Sequence, residues 1–374
     1  MFPEKLTNAE ETELKEFARL VRGDIVTMTT IAASGHPGGA MSSADLLSLI
    51  YRYAGITPSN FDKQERNKVL VSIGHISPAV YSILARLGFF PAEDAIAYFR
   101  LAGSPYEGHI ERTLPGVEWT TGNLGQGLSA ACGFAYADKL NGYNTRTFVL
   151  TGDGEHQKGQ ISEARRFASH YALSNLTVII DNNDLQISGG VHRIMNVNFT
   201  SEYAADGWSV FETDGHDFSE LLSVFRKAER SDKPSVIVAH TVMGKGVSFM
   251  EHNNNYHGSP LKDKDYPAAI AELGGENLLE KYRDKRRGFA AVHIPIAAEK
   301  ECPYEPGKRF YPKTADTDCR SAFGNALIDL VEAGMRKTPI LVFDCDLAGS
   351  VKTNQVEAKQ PKYFVQCGIS EHHA

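Results

Sequence analysis

The chain has 374 residues, 42% hydrophobic and 23% charged, with no tract, repeat or like-charge block of the kind that marks a disordered tail or a solenoid. Its 46 acids against 39 bases give a formal net charge of −7, which argues against nucleic acid as a partner because binding a phosphate backbone needs a basic surface. Five cysteines (Cys132, Cys302, Cys319, Cys345, Cys367) without a C-x-x-C pair suggest neither a disulfide framework nor a zinc cluster, and no apolar run reaches membrane-spanning length.

The first segment, MFPEKLTNAEETELKEF, is polar and acidic and lacks the charged and apolar regions of a signal peptide, so a cytoplasmic location is expected. Leu14, Phe17, Val21, Ile25, Met28 and Ala32 then form an apolar stripe at spacings of three and four, which predicts a helix ending at Ser34-Gly35-His36-Pro37-Gly38-Gly39. That helix delivers His36 in a tight Gly/Pro turn. A second helical pattern covers 44–53, and a short apolar run over 69–73 ends at Gly74-His75.

Further short runs rich in β-branched residues cover 147–150, 176–180 and 235–239, separated by amphipathic stretches such as 161–173 and 218–228. Alternating strands and helices predict an α/β fold, a parallel sheet with helices on both faces. Ligands of such sheets sit beyond the carboxyl ends of the strands. The runs here end at His75, at Gly152-Asp153-Gly154 and at Asp181-Asn182-Asn183, so polar residues gather where a site is expected.

A charged, Pro-containing stretch over 284–313 reads as a linker between a first domain, 1–283, and the start of a second α/β domain, 314–374. In the second domain a helix over 319–333 leads to a strand over 339–343. So little of that unit is present that the chain is expected to be part of a longer polypeptide or to depend on another chain.

Gly152-Asp153-Gly154 followed by a helix, a strand and Asn182-Asn183 brings two oxygen-donor side chains to neighbouring strand ends. Mg²⁺ favours such oxygens and takes its remaining ligands from phosphate and water, while the glycines let backbone N–H groups approach a diphosphate. Asp153 and Asn183, with the Leu185 carbonyl, are the expected metal ligands. Taken alone, a Gly-Asp-Gly turn is more often only a turn. Five histidines also adjoin glycine: His36, His75, His109, His216 and His257. His216, in Asp214-Gly215-His216-Asp217, reads as a structural turn histidine.

With SGHPGG, IGHIS, EGHIE, LPGVEWTTGNLGQG, GDGEHQKGQISEA and MGKGVSFMEHNNNYHGSPL in this order, the sequence resembles transketolases along essentially its whole length, above all those made as two polypeptides. The resemblance implies a thiamine diphosphate-binding fold followed by an incomplete pyrimidine-binding domain. It also implies transfer of a two-carbon glycolaldehyde unit from a ketose phosphate to an aldose phosphate through a thiamine diphosphate carbanion, as in the pentose phosphate pathway. Mg²⁺ is the expected metal, with Ca²⁺ or Mn²⁺ as substitutes. His75, Gly122, Leu124, Gly125, Gly152, Asp153, Gly154, Asn183, Leu185 and His257 are expected at the cofactor. His36, His109, His257, Arg320 and Ser350 are expected at a sugar phosphate substrate.

Glu371 matches the glutamate that activates the cofactor, and His36, His75 and His257 are expected to share in proton transfer. The partner is expected to be a second copy in a homodimer or a complementary transketolase chain. Lys158 stands where the family usually has a glutamate, and Glu163 matches another family acid. The rival readings are a non-catalytic transketolase-like subunit, dihydroxyacetone synthase, deoxyxylulose-phosphate synthase and the decarboxylating component of a 2-oxoacid dehydrogenase. The histidine set facing a polyol argues against the last two.

Overall fold

The first helix, α1 (Asn8–Ala32), begins in a capping box: the Thr7 side chain accepts from the Glu10 N–H, and Glu10 accepts in return from the Thr7 N–H at 2.8 Å. It ends where Ala33 turns left-handed (φ 48°) and Gly35 follows at φ 132°. A Cβ on Gly35 would stand 2.8 Å from Thr29 Cγ2, so this sharp exit needs glycine. Pro37 then opens α2 (Pro37–Ser42), and α3 (Ala44–Ala54) follows. This computed structural model describes residues 2–290, 317–334 and 339–374.

Five strands, β1 (Lys68–Val71), β2 (Thr147–Gly152), β3 (Leu176–Asn182), β6 (Ser209–Asp214) and β7 (Ser235–His240), make one parallel sheet in the order β1-β2-β3-β7-β6. A two-residue antiparallel pair, β4 (Leu185–Gln186) and β5 (Gly189–Gly190), forms a small loop hairpin after β3. On one face Val69, Val71, Phe148, Leu150, Ile179, Ile237 and Ala239 join the core built with α1, α3 and the helix Phe218–Glu229. The alternate residues Leu70, Val149, Val178, Ile180, Val236 and Val238 are buried on the other face, where the helix Gln126–Asn141 packs. Burial on both faces is why these strands read as continuous apolar runs.

The register sets Gly152 opposite Asp181 and Asn182 opposite His240, so β2, β3 and β7 end together. β6 went unpredicted. It is an edge strand with a half-exposed, mixed sequence, SVFETD, that carries no clean period.

The chain divides into two compact units, Met1–Ile296 and Ala297–Ala374. The helix Leu279–Arg287 runs across the expected boundary at 284, and the expected linker beyond residue 290 lies outside the described residues, as does Cys302. In the second unit the helix Cys319–Gly334 occupies the predicted position. The strand β8 (Val342–Asp344) begins three residues later than predicted and pairs in parallel with β9 (Phe364–Gln366). Ile328, Val331, Val342, Val356 and Phe364 form a small core of their own. Among the described residues no helix is long and apolar enough to cross a membrane.

Candidate functional site

The carboxyl ends of β1, β2 and β3 converge on a cavity of about 260 Å³ lined by His75, Leu124, Gly152, Asp153, Gly154, Asn183, Leu185 and His257 among others. Eight of the ten residues expected at a cofactor therefore share one cavity. The other two, Gly122 and Gly125, lie in the same loop as Leu124, both with positive φ (153° and 88°), before the helix Gln126–Asn141.

Asp153 follows β2 directly and is buried. One of its carboxylate oxygens accepts from the Gly154 N–H and the other from the Asp184 N–H, both at 2.6 Å, but among the described residues it has no cationic partner. Burial, and then the neighbouring Asp181 carboxylate, push its pKa up to about 8 against the hydrogen bonds that lower it. Asn183 turns its side-chain oxygen to the Leu185 N–H at 3.0 Å and its amide nitrogen toward Ser42 at 3.3 Å. Asp181 accepts from the hydroxyls of Ser42 (2.7 Å), Ser43 and Thr241, tying the start of α3 and the exit of β7 to the end of β3.

His36, His75 and His257 form a cluster with ring centroids 5.1 to 5.8 Å apart. His36 sits between α1 and α2. His75 lies in the turn Gly74–Ile76 after β1, and His257 follows the turn Asn254–Tyr256. Two close approaches bring these segments together. A Cβ on Gly38 would be 2.8 Å from the Tyr256 carbonyl, and one on Gly74 only 1.6 Å from the Thr121 hydroxyl. Burial, then the neighbouring His257, Arg100 and His109, lowers His36 to about 4. Burial, then the other histidines, lowers His75 to about 3, and burial lowers His257 as well. All three are neutral at pH 7, so each ring keeps one donor and one acceptor. The Nδ1 atoms of His36 and His257 are buried without a hydrogen-bond partner among the described residues.

His109 is near enough to contribute to the shifts of His36 and His75, although it does not line the cavity. His216 stands apart: its Nε2 accepts from the Val242 N–H at 2.9 Å, so its Nδ1 carries the proton and donates to Asp45 at 2.6 Å. This is the structural role its turn context predicted.

Two buried residues of the GDGEHQ segment went unassigned in the sequence. Glu155 accepts from Ser72 and the Gly125 N–H at 2.7 Å and from the Gly152 N–H at 3.0 Å. His156 bridges the Gly152 carbonyl (2.8 Å) and the Tyr203 hydroxyl (3.1 Å). An acid directly after a Gly-Asp-Gly turn was the available signal for the first. Lys158 is exposed, donates to Asn123 at 3.2 Å and helps hold Glu155 ionised. Glu163 is half-buried on the helix Gly159–His170.

Arg320, Ser350 and Glu371 belong to the second unit, where all three are exposed. Arg320 lies in the first turn of the helix Cys319–Gly334, and Ser350 in the helix Ala348–Val351 after β8. Glu371 follows β9.

A larger cavity, about 1020 Å³, lies at the opposite end of the main sheet. Its cations are engaged: Arg146 with the carbonyls of Ser174, Ala228 and Glu229, Arg226 with the Glu229 carboxylate, and Lys139 with the carbonyls of Tyr171 and Ala172. Among the described residues no cluster of three His, Cys, Asp or Glu side chains is arranged for a metal. A cation beside Asp153 would therefore rely on one carboxylate, an amide oxygen, a backbone carbonyl and oxygens of its ligand.

Residues 11–282 match the family described as transketolase, thiamine diphosphate binding domain. The chain is 32% identical to human transketolase over 371 residues, covering 96% of this chain and 56% of that protein. It is 35% identical over 271 residues to a 6-deoxy-6-sulfo-D-fructose transketolase subunit of Clostridium sp. (strain MSTE9), covering 71% of this chain and 98% of that one. The structure superposes on transketolase from Campylobacter jejuni subsp. jejuni with a TM-score of 0.82 at 28% identity, over 97% of this chain and 62% of the other. The chain thus spans little more than half the length of the human protein, while 71% of it covers nearly the whole Clostridium subunit.

Proposed function

We propose that this chain, which belongs to the transketolase family, binds thiamine diphosphate through a divalent cation and serves in transfer of a glycolaldehyde unit between sugar phosphates. One observation carries the reading: Asp153, a buried carboxylate without a cationic partner among the described residues, faces the same cavity as Asn183, Leu185, Gly154 and the paired rings of His75 and His257. The residues fit the group. A cation at Asp153 supplies the charge that the carboxylate lacks, and Mg²⁺ suits the oxygen-only set. Gly152 and Gly154 leave room for a diphosphate to approach the backbone.

Bound thiamine diphosphate supplies a nucleophilic thiazolium carbon and an electron sink. The chain's own residues do the rest. Asp153, Asn183 and the Leu185 carbonyl hold the cation, and His75, Gly122, Leu124 and Gly125 border the cofactor. His36, His109 and His257, neutral at pH 7, donate and accept hydrogen bonds with sugar hydroxyls and move protons between them. The orphaned Nδ1 atoms of His36 and His257 support this assignment, because buried polar atoms without partners are costly unless a ligand meets them. Glu371 is assigned the carboxyl that hydrogen-bonds the pyrimidine of the cofactor, and Arg320 and Ser350 the grip on the substrate phosphate.

The first domain, 1–283, is assigned the diphosphate and 314–374 the opening of the pyrimidine-binding part. A homodimer or a complementary chain completes the site. Phe323, Phe343, Leu347 and Ile369 support this: all are large apolar side chains exposed on the second unit and available to a partner.

The test is a titration of the chain with thiamine diphosphate and Mg²⁺, followed by xylulose 5-phosphate and ribose 5-phosphate. Saturable, metal-dependent cofactor binding and formation of the seven- and three-carbon products in the presence of the completing chain are expected. Failure of a folded sample to bind cofactor overturns the reading. Binding without turnover in the completed assembly leaves only a non-catalytic subunit.

A further inference from the structure

The second unit sets two cysteines side by side. β8 and β9 run parallel with Asp344 opposite Gln366, so Cys345 and Cys367 leave the ladder as the next pair in register. The Cys367 N–H donates to the Asp344 carbonyl at 2.8 Å, which carries the ladder one step further and fixes the two backbones together. The Cys367 thiol donates to the Val365 carbonyl at 3.8 Å, and both cysteines are half-buried, reachable by a small oxidant. Paired strands lie about 4.8 Å apart, and a disulfide joins Cα atoms roughly 4.4 to 6.8 Å apart. Closing a bridge here therefore asks for side-chain rotation rather than backbone movement.

We propose that Cys345 and Cys367 form a reversible disulfide when the protein meets hydrogen peroxide, and return to thiols in the presence of a dithiol. The Cys367 thiol is engaged with the Val365 carbonyl, and burial and the adjacent Cys345 push its pKa up to about 12, so the first step is assigned to Cys345. Its thiolate, having released a proton to water, attacks one peroxide oxygen; the O–O bond breaks and hydroxide leaves, giving a sulfenic acid on Cys345. The Cys367 sulfur then attacks the sulfenic sulfur, the S–S bond forms, the S–O bond breaks, and the departing oxygen leaves as water with the Cys367 proton. The first proton and the hydroxide make the second water. Two thiols have lost two electrons to one peroxide.

The bridge would join the roots of the segments carrying Ser350 and Glu371, but its formation does not depend on any role for those residues. A transient, peroxide-driven pair is also the kind of disulfide compatible with a reducing compartment. The other two described cysteines are placed differently: Cys132 is fully buried, with burial holding its thiol protonated, and Cys319 is exposed on the helix Cys319–Gly334.

The test is to expose the full chain to graded hydrogen peroxide, alkylate in acid, digest and analyse the peptides by mass spectrometry. A Cys345–Cys367 linked peptide that disappears with dithiothreitol is expected. In C367S a dimedone adduct should accumulate on Cys345, and C345S should give no link. The unsubstituted protein decides the matter even if a variant folds poorly. Irreversible sulfinic or sulfonic acid at either position without the link, a link to Cys302 or Cys319 instead, or unmodified thiols throughout would each overturn the proposal.

Discussion

The backbone N–H of Asp184 donates to the Asp153 carboxylate at 2.6 Å, so a single side chain ties the exit of β2 to the exit of β3. The same carboxylate has no cationic side chain as partner among the described residues, and burial and Asp181 push its pKa up to about 8. Asp153→Asn should therefore separate architecture from binding. Asn keeps one acceptor and puts an amide against the other N–H, so the ligand-free protein should lose about 1 to 3 kcal/mol. Ligand at a hundred times its dissociation constant should stabilise the unsubstituted protein by about 2.7 kcal/mol. That stabilisation should vanish in the variant. Denaturant melts with and without thiamine diphosphate and Mg²⁺ measure both quantities, and an unchanged ligand-induced shift would refute the role of Asp153.

The pH dependence of the ligand-free protein has opposing parts. Asp153 is raised in the folded state, so its contribution is complete below the ordinary carboxylate pKa and is lost as pH rises toward about 8. His36 and His156, lowered to about 4, and His75, lowered to about 3, contribute in the reverse sense. Their stability is present above the ordinary imidazole pKa near 6.5 and is lost as pH falls toward 4 and 3. Below pH 6.5 the two effects oppose each other, whereas between 6.5 and 8 Asp153 acts alone among these groups. Stability should fall across that interval by on the order of 2 kcal/mol, and Asp153→Asn should flatten it. Denaturant unfolding at half-unit pH steps gives the comparison.

Gly74 admits His75 to the site only because it lacks a side chain. A Cβ there would stand 1.6 Å from Thr121 Oγ1 and 2.4 Å from Thr121 Cβ, too close for any rotamer of threonine to relieve. Gly74→Ala should cost about 1 to 3 kcal/mol through overpacking and weaken cofactor binding as the His75 turn shifts. Thr121→Gly added to it should restore much of both. A double-mutant cycle on unfolding free energy reads the coupling; simple additivity of the two changes would rule out this contact as the cause.

How far the site was legible in the sequence follows from what kind of contact each part rests on. Asp153 and Asn183 could be read directly because each immediately follows a strand, and strands buried on both faces announce themselves as runs such as Leu176 to Ile180. The histidine cluster needed the ordered motifs as well. Its members come from three distant segments whose meeting depends on tight approaches at Gly38 and Gly74 that no local pattern encodes. The three hydroxyls that satisfy Asp181 are equally nonlocal: Ser42 and Ser43 precede α3 and Thr241 follows β7. β6 was missed for a different reason, since an edge strand with one exposed side has no continuous apolar run to find.

Glu155 is the nonlocal support that can be tested most directly. Its Oε2 accepts from Ser72 and the Gly125 N–H, and its Oε1 from the Gly152 N–H, so one buried side chain fixes the glycines on two sides of the cavity. Burial raises its pKa, but these hydrogen bonds and the nearby Lys158 favour the ionised form. Glu155→Gln can keep the two bonds at one oxygen while turning an NH₂ group against the Gly152 N–H, and should cost about 1 to 3 kcal/mol. Glu155→Ala leaves three donors without an acceptor and opens a cavity as well, so it should cost more than the glutamine change. Denaturant unfolding ranks the two variants, and amide hydrogen exchange shows where the loss falls. Faster exchange at both Gly125 and Gly152 in the alanine variant is expected, with Gly152 alone affected in the glutamine variant. Exchange unchanged at both glycines would mean that their positions are held by the strand and helix ends rather than by this carboxylate.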